Sequence, residues 1–107
     1  MMINGINVTT HDEAQMECSN SGAILVTIVN RNFNFEHPFW IGLSFDGRQW
    51  KWQDGTKLRY NRWRKHEPNY RHSCVLADVK SNAMSWFTAD CHTRVPNIQT
   101  IDYVCQQ

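Results

Sequence analysis

The chain has 107 residues, 41% of them hydrophobic, with eleven Lys and Arg against ten Asp and Glu, for a formal net charge of +1. That length holds a single domain with a modest core, and no segment approaches the ~20 consecutive apolar residues of a membrane-spanning helix. The near-neutral total hides an asymmetry: residues 57–73 carry Lys57, Arg59, Arg62, Arg64, Lys65 and Arg71 against Glu67 alone, on an otherwise acidic body.

Ile3 to Val8 reads as a short edge strand, and Asn7-Val8-Thr9 inside it is a glycosylation sequon with Asn7 as acceptor. Thr10-His11-Asp12-Glu13 is a capping box, with Thr10 as N-cap and Glu13 at the third helical position. The helix it opens runs to about Asn20, places Cys18 one turn after Ala14 on the same face, and ends at Gly22 as a left-handed stop. Ala23 to Val29 is too apolar and β-branched to be anything but buried. Asn30 to Pro38 has poor helix propensity, so any helix there is short or irregular.

Trp40-Ile41-Gly42-Leu43 is a short apolar run without polar alternation, the pattern of a strand buried on both faces. Gly42 inside it predicts the close approach of another backbone or a bulky ring. Trp50-Lys51-Trp52-Gln53 alternates, with both tryptophans on one face, and Asp54-Gly55 then forms a turn. Thr56 to Ser73 is arginine-rich and turn-rich. Cys74 to Val79 and Met84 to Phe87 read as strands joined by a turn at Ser81-Asn82, and His92 to Thr100 as a loop. Ile101 to Cys105 is the last strand, with 101, 103 and 105 on one face. Trp40, Trp50, Trp52 and Trp86 are core candidates, and Trp63 is a half-buried anchor for the arginine-rich loop. The cysteines at 18, 74, 91 and 105 contain no Cys-x-x-Cys pair, and their even number in a small turn-rich domain favours disulfides and an oxidising compartment. Four cysteines allow three connectivities, among which spacing alone does not choose.

The ordered set Trp40-Ile41-Gly42-Leu43, then Trp50-Lys51-Trp52-Gln53-Asp54-Gly55, then Trp63 followed by Glu67-Pro68-Asn69, closely resembles the C-type lectin-like domain, from about Asp12 to Gln107. The resemblance implies an α+β fold over residues 1–107: small antiparallel sheets, one or two flanking helices, and a long loop from about Thr56 to Ser73 rising from a second small sheet. It also implies the pairings Cys18–Cys105 and Cys74–Cys91. The first closes nearly the whole chain and is worth roughly 4–5 kcal/mol by loop entropy, the second roughly 3 kcal/mol. The chain departs from the family pattern where a bulky aromatic usually follows the helix N-cap, since His11 or Asp12 stands there.

In this family a Glu-Pro-Asn sequence supplies two side-chain calcium ligands, often around a cis proline, and the same groups hydrogen-bond mannose-type sugars. Glu67 and Asn69 match it. The next family ligand, two residues before the third cysteine, is here His72, and the Asn-Asp expected after Trp86 is Phe87-Thr88. Calcium takes six to eight oxygen ligands, so one carboxylate and one amide amid five net positive charges make an incomplete metal site.

The second candidate surface is the basic loop. Arginine presents a planar fork suited to sulfate, phosphate or carboxylate, and Arg59, Arg62, Arg64, Lys65 and Arg71 interleave with Tyr60 and Tyr70. Nucleic acid is not the expected partner, because disulfides and an outside location argue against it. Enzyme readings are poor. Pro68 follows His66-Glu67 and prevents a helical zinc-protease motif, the histidines at 11, 37, 66, 72 and 92 are scattered and read mostly as surface groups, and paired cysteines cannot be nucleophiles.

The resulting expectation is a non-catalytic extracellular recognition module, secreted or part of a receptor ectodomain with neighbouring domains. It binds a protein or an anionic ligand such as a sulfated glycan through the long loop, without calcium or other cofactor. One alternative is a calcium-dependent lectin for mannose-type carbohydrate acting through Glu67 and Asn69. The other is a structural spacer in a tandem array.

Overall fold

In the computed structural model, which describes residues 2–6, 10–28, 37–80, 83–98 and 100–107, the elements follow in the order β1 (Met2–Ile6), α1 (His11–Asn20), β2 (Ile24–Leu25), β3 (Phe39–Phe45), β4 (Trp50–Trp52), β5 (Cys74–Lys80), β6 (Ala83–Ala89) and β7 (Asp102–Gln106). The sequon at Asn7, the turn at Ser81-Asn82 and most of the stretch read as an irregular second helix lie outside the described residues.

Helix α1 starts as the capping box predicts. Thr10 is extended and its Oγ1 accepts a hydrogen bond from the Glu13 N–H at 3.1 Å. It stops at Gly22, whose φ of +70° suits a residue without a Cβ, while the Gly22 and Ala23 N–H groups donate to the Ser19 and Cys18 carbonyls. Ala14 and Cys18 are buried on the helix's inner face.

The strands expected as small separate sheets are joined into one seven-stranded sheet in the order β1-β7-β3-β5-β6, with β2 added to β7 and β4 to β3. Every pairing is antiparallel except β3 with β7, which is parallel. The junction is β3. It pairs with β5 through Ile41, then shifts register so that Ser44 faces Cys74, while Leu43 to Phe45 pair with β4. At the shift, the Gly42 N–H donates to the Val26 carbonyl and its own carbonyl accepts from Gln53 N–H, both at 2.8 Å. A Cβ on Gly42 would lie 2.5 Å from the Leu25 carbonyl oxygen. The predicted close approach is therefore the backbone of the segment following β2. That segment is satisfied by two glutamines: Gln53 Oε1 accepts from Leu25 N–H and Gln106 Oε1 from Thr27 N–H, both at 2.8 Å.

Successive residues of the strands point to opposite faces and feed two cores. One contains Phe39, Ile41, Leu43, Trp50, Trp52, Val75, Ala77, Trp86 and Val104, with Tyr60 and Trp63 packed on it. The other contains Ala14, Cys18, Leu25, Trp40, Leu76, Ile101 and Cys105. Strand β7 refines the sequence expectation: 101, 103 and 105 do share a core, but Val104 and Asp102 are buried as well. β7 is an interior strand covered on both faces.

Both disulfides form as the family resemblance implied, Cys18–Cys105 across 87 residues and Cys74–Cys91 across 17. They tie α1 to β7 and β5 to the chain beyond β6. His11 is not a surface residue. It is 4% exposed and packs edge-on against Trp40, with ring centroids 5.4 Å apart, thereby filling the place of the missing aromatic. Burial pushes its pKa below the ordinary 6.5.

Candidate functional site: the long loop and the Glu67 turn

The loop between β4 and β5 is fastened to the sheet at its middle. Trp86 of β6 donates its N–H to the Arg62 carbonyl at 2.7 Å and accepts from the Arg64 N–H at 2.8 Å, so residues 62–64 lie along β6 like a short added strand. Trp63, between them, wedges its ring between Trp50 (5.0 Å) and Trp86 (5.7 Å), while Trp52 and Tyr60 meet the Trp86 ring at 5.6 and 6.1 Å. Trp63 is thus the expected half-buried anchor.

Beyond that anchor the chain turns at His66, with φ +70°, and passes through a cis Glu67–Pro68 peptide. Glu67 Oε1 accepts three hydrogen bonds: from Thr88 Oγ1 at 2.7 Å, from the Thr88 N–H at 3.0 Å and from the Asn69 N–H at 3.1 Å. The Asn69 N–H also reaches Thr88 Oγ1 at 3.2 Å, and Asn69 Oδ1 accepts from the Arg71 N–H at 3.0 Å. Thr88 is buried on β6, two residues beyond the Trp86 that holds the loop. The strand thus brings Thr88's hydroxyl and amide together beneath the carboxylate.

The three donors from Thr88 and Asn69 all fall on one Glu67 oxygen, Oε1. At the positions where the resemblance implies further calcium ligands, this chain has other groups. His72 offers nitrogen, and Phe87 offers a ring over which the Arg64 guanidinium sits at 4.3 Å from the centroid. Of the other clustered ligand types, His11, Cys74 and Cys91 come together, but both cysteines are in a disulfide and present no thiolate.

The basic side chains predicted as one patch divide into separate groups. Arg64 reaches Asp78 Oδ2 at 3.5 Å, a nearly buried carboxylate it shares with Lys80 at 3.7 Å, and donates to Ser85 Oγ at 3.3 Å. Arg62 Nε donates to the Met84 carbonyl at 3.4 Å. Arg59 and Lys57 border a different hollow near Thr27 and Trp52. Lys65 and Arg71 are exposed and, among the described residues, in no ion pair. Beside Arg71, Tyr70 is 64% exposed and rests its ring on Phe45 and Trp50 at 5.1 and 6.2 Å.

Sequence reasoning passed over Thr88 as a weak metal ligand and missed Asp78 as an ion-pair centre. The available signal was a hydroxyl, not an apolar residue, two places after Trp86 on the strand face that meets the loop.

A helix-flanked sheet whose long loop carries Glu67-Pro68-Asn69, stapled by these two disulfides, defines a domain of C-type lectin type. The family described as "Lectin C-type domain" matches residues 7–107, and the chain belongs to that family. Rheacalcin-2 of Rhea americana is 36% identical over 65 residues, 59% of this chain and 46% of that protein. C-type lectin lectoxin-Phi2 of Philodryas olfersii is 29% identical over 103 residues, 79% of this chain and 66% of that protein. The C-type lectin domain of murine dendritic cell inhibitory receptor 2, solved in complex with an N-glycan, superposes with a TM-score of 0.73 at 27% identity, covering 99% of this chain and 90% of that one. Both a Ca2+-dependent and a calcium-independent type II antifreeze protein share the fold, with TM-scores of 0.77 and 0.74 at 20% and 22% identity. The fold thus occurs in a protein described as Ca2+-dependent and in one described as calcium-independent.

Proposed function

We propose that this chain is a non-catalytic recognition module of an extracellular protein, and that it binds a protein or an anionic glycan through its long loop without calcium. The observation that carries this reading is the threefold hydrogen bonding of Glu67 Oε1 by Thr88 and Asn69. It holds the turn through protein donors on one carboxylate oxygen. Lys65 and Arg71, exposed and among the described residues in no ion pair, and Tyr70, exposed next to Arg71 in the chain, supply groups suited to sulfate or carboxylate. The two disulfides support an oxidising location. A match to Lymphocyte antigen 75 of Homo sapiens, at 28% identity over 89% of this chain and 6% of that protein, supports a module within a larger protein.

A thermal melt of the oxidised domain with millimolar calcium and then with a chelator tests the calcium part, because a ligand that binds only the folded state raises the melting point. Coincident curves are expected. A rise of several degrees with calcium would favour instead a lectin for mannose-type sugars acting through Glu67 and Asn69. Binding to an immobilised sulfated glycan tests the remainder: affinity should fall steeply from low to physiological salt. Salt-insensitive binding, or none, points to the structural spacer.

A further inference from the structure

A second hollow lies away from the Glu67 turn, where the segment after β2 faces the start of the long loop. It encloses about 530 Å³ and is lined by Thr27, Ile28, Trp52, Asp54, Thr56, Lys57, Arg59 and Tyr60. None of the residues that hold the Glu67 turn takes part. Its floor is apolar and fixed: Ile28 is fully buried, Trp52 is 4% exposed, and the Trp52 and Tyr60 rings are both braced by Trp86. Its rim is charged. Asp54 is already engaged, its Oδ1 accepting from Thr56 Oγ1 at 2.7 Å and from the Thr56 N–H at 2.9 Å. Lys57 and Arg59 are exposed and, among the described residues, in no ion pair.

We infer that this hollow is a binding site for a small amphipathic anion, a flat apolar body bearing one sulfonate, sulfate or carboxylate group. The volume lies within the range of small-molecule sites, and an apolar floor with a few charged groups at the mouth is their usual construction. The body lies against the half-buried Tyr60 ring and the part of Trp52 left accessible, over the buried Ile28. The acid group faces Lys57 and Arg59, two cations that outnumber the single carboxylate of Asp54 on the rim. The Trp52 indole makes occupancy visible without a label.

The test is a titration of the oxidised chain with 2-naphthalenesulfonate and with its uncharged counterpart 2-naphthalenemethanol, followed by amide and indole chemical shifts. Saturable shifts at Thr27, Ile28, Trp52, Thr56 and Tyr60 are expected, with the sulfonate bound about tenfold more tightly than the alcohol, the range for one charge-assisted hydrogen bond. A Lys57→Gln, Arg59→Gln double variant, changed only at exposed side chains, should keep the remaining spectrum and reduce that preference to about threefold or less. Three results would each overturn the inference: no saturation at millimolar sulfonate, equal affinity for the two compounds, or shifts centred on Tyr70 and Trp63.

Discussion

On one face of the sheet, helix α1 packs over Trp40, Leu76 and Cys105, and both disulfides lie on that side. On the other face there is no covalent link among the described residues. The long loop is held there by the stack Trp50–Trp63–Trp86, two backbone hydrogen bonds to Trp86 and the Glu67–Thr88 contact. The first arrangement restricts the unfolded chain, since its larger loop closes 87 residues. The second acts only once the loop has docked, through ring packing and three donors on one oxygen. A binding loop can therefore vary in sequence while the helical face and the termini stay fixed.

Replacing Cys18 and Cys105 together by Ser should give the largest loss, about 4 kcal/mol of global stability in a denaturant titration under oxidising conditions. Trp63→Ala should cost less, about 2–3 kcal/mol, because the ring is only half buried and its two neighbours remain. The kind of effect should differ too. The cysteine variant lowers protection from hydrogen exchange throughout the sheet, whereas Trp63→Ala raises exchange first at the Arg64 and Trp86 amides that clasp the loop. If the two variants produce the same exchange pattern, the faces form one cooperative unit and the contrast fails.

Thr88→Val is the sharper probe of the loop face. It keeps the side chain's shape and the strand amide but removes the hydroxyl that reaches Glu67 at 2.7 Å. A loss of about 1–2 kcal/mol is expected for a hydrogen bond to a partly buried carboxylate, with faster exchange at the Asn69 amide that shares the same oxygen. An unchanged melting point would mean that the amide donors alone hold the turn.

What could be read from the chain beforehand follows the range of the forces involved. The capping box at Thr10 and Glu13, the left-handed stop at Gly22 and the alternation of Trp50 and Trp52 depend on neighbours a few residues away, and these agree with the structure. Gly42 was readable as a close approach, though not that Leu25 would be what it approaches. Elements fixed by distant partners were less accessible. Strands β3 and β7 join the sheet into one through a parallel pairing of residues 63 apart in the chain, which no local pattern encodes. Thr88 shows the same limit at the site. A threonine in a strand is ordinary, and only the loop's return past Trp86 gives its hydroxyl a carboxylate to meet.

The smallest expected effect concerns the helical face and is a matter of pH. Asp12, in the first turn of α1, meets the Cys91 side of the fold in two ways: its amide donates to the Cys91 carbonyl, and its Oδ2 lies 2.6 Å from His92 Nδ1. The hydrogen bond to Asp12, with the charge of that carboxylate, raises the His92 pKa above 6.5, and Asp90 adds to it. Burial moves His11 the other way, below 6.5. A raised histidine stabilises the fold fully below its unfolded pKa of about 6.5, and the contribution fades as pH rises through the higher folded value. A lowered histidine stabilises above about 6.5, and its contribution is lost as pH falls toward the folded value. The two therefore oppose each other, and wild-type stability alone cannot separate them. His92→Ala removes only the first. The melting-point difference between wild type and this variant should be largest in mildly acidic buffer and shrink toward zero as the buffer becomes alkaline. A difference that grows with pH would show that the Asp12–His92 contact does not link helix α1 to the loop after Cys91 through a charged imidazole.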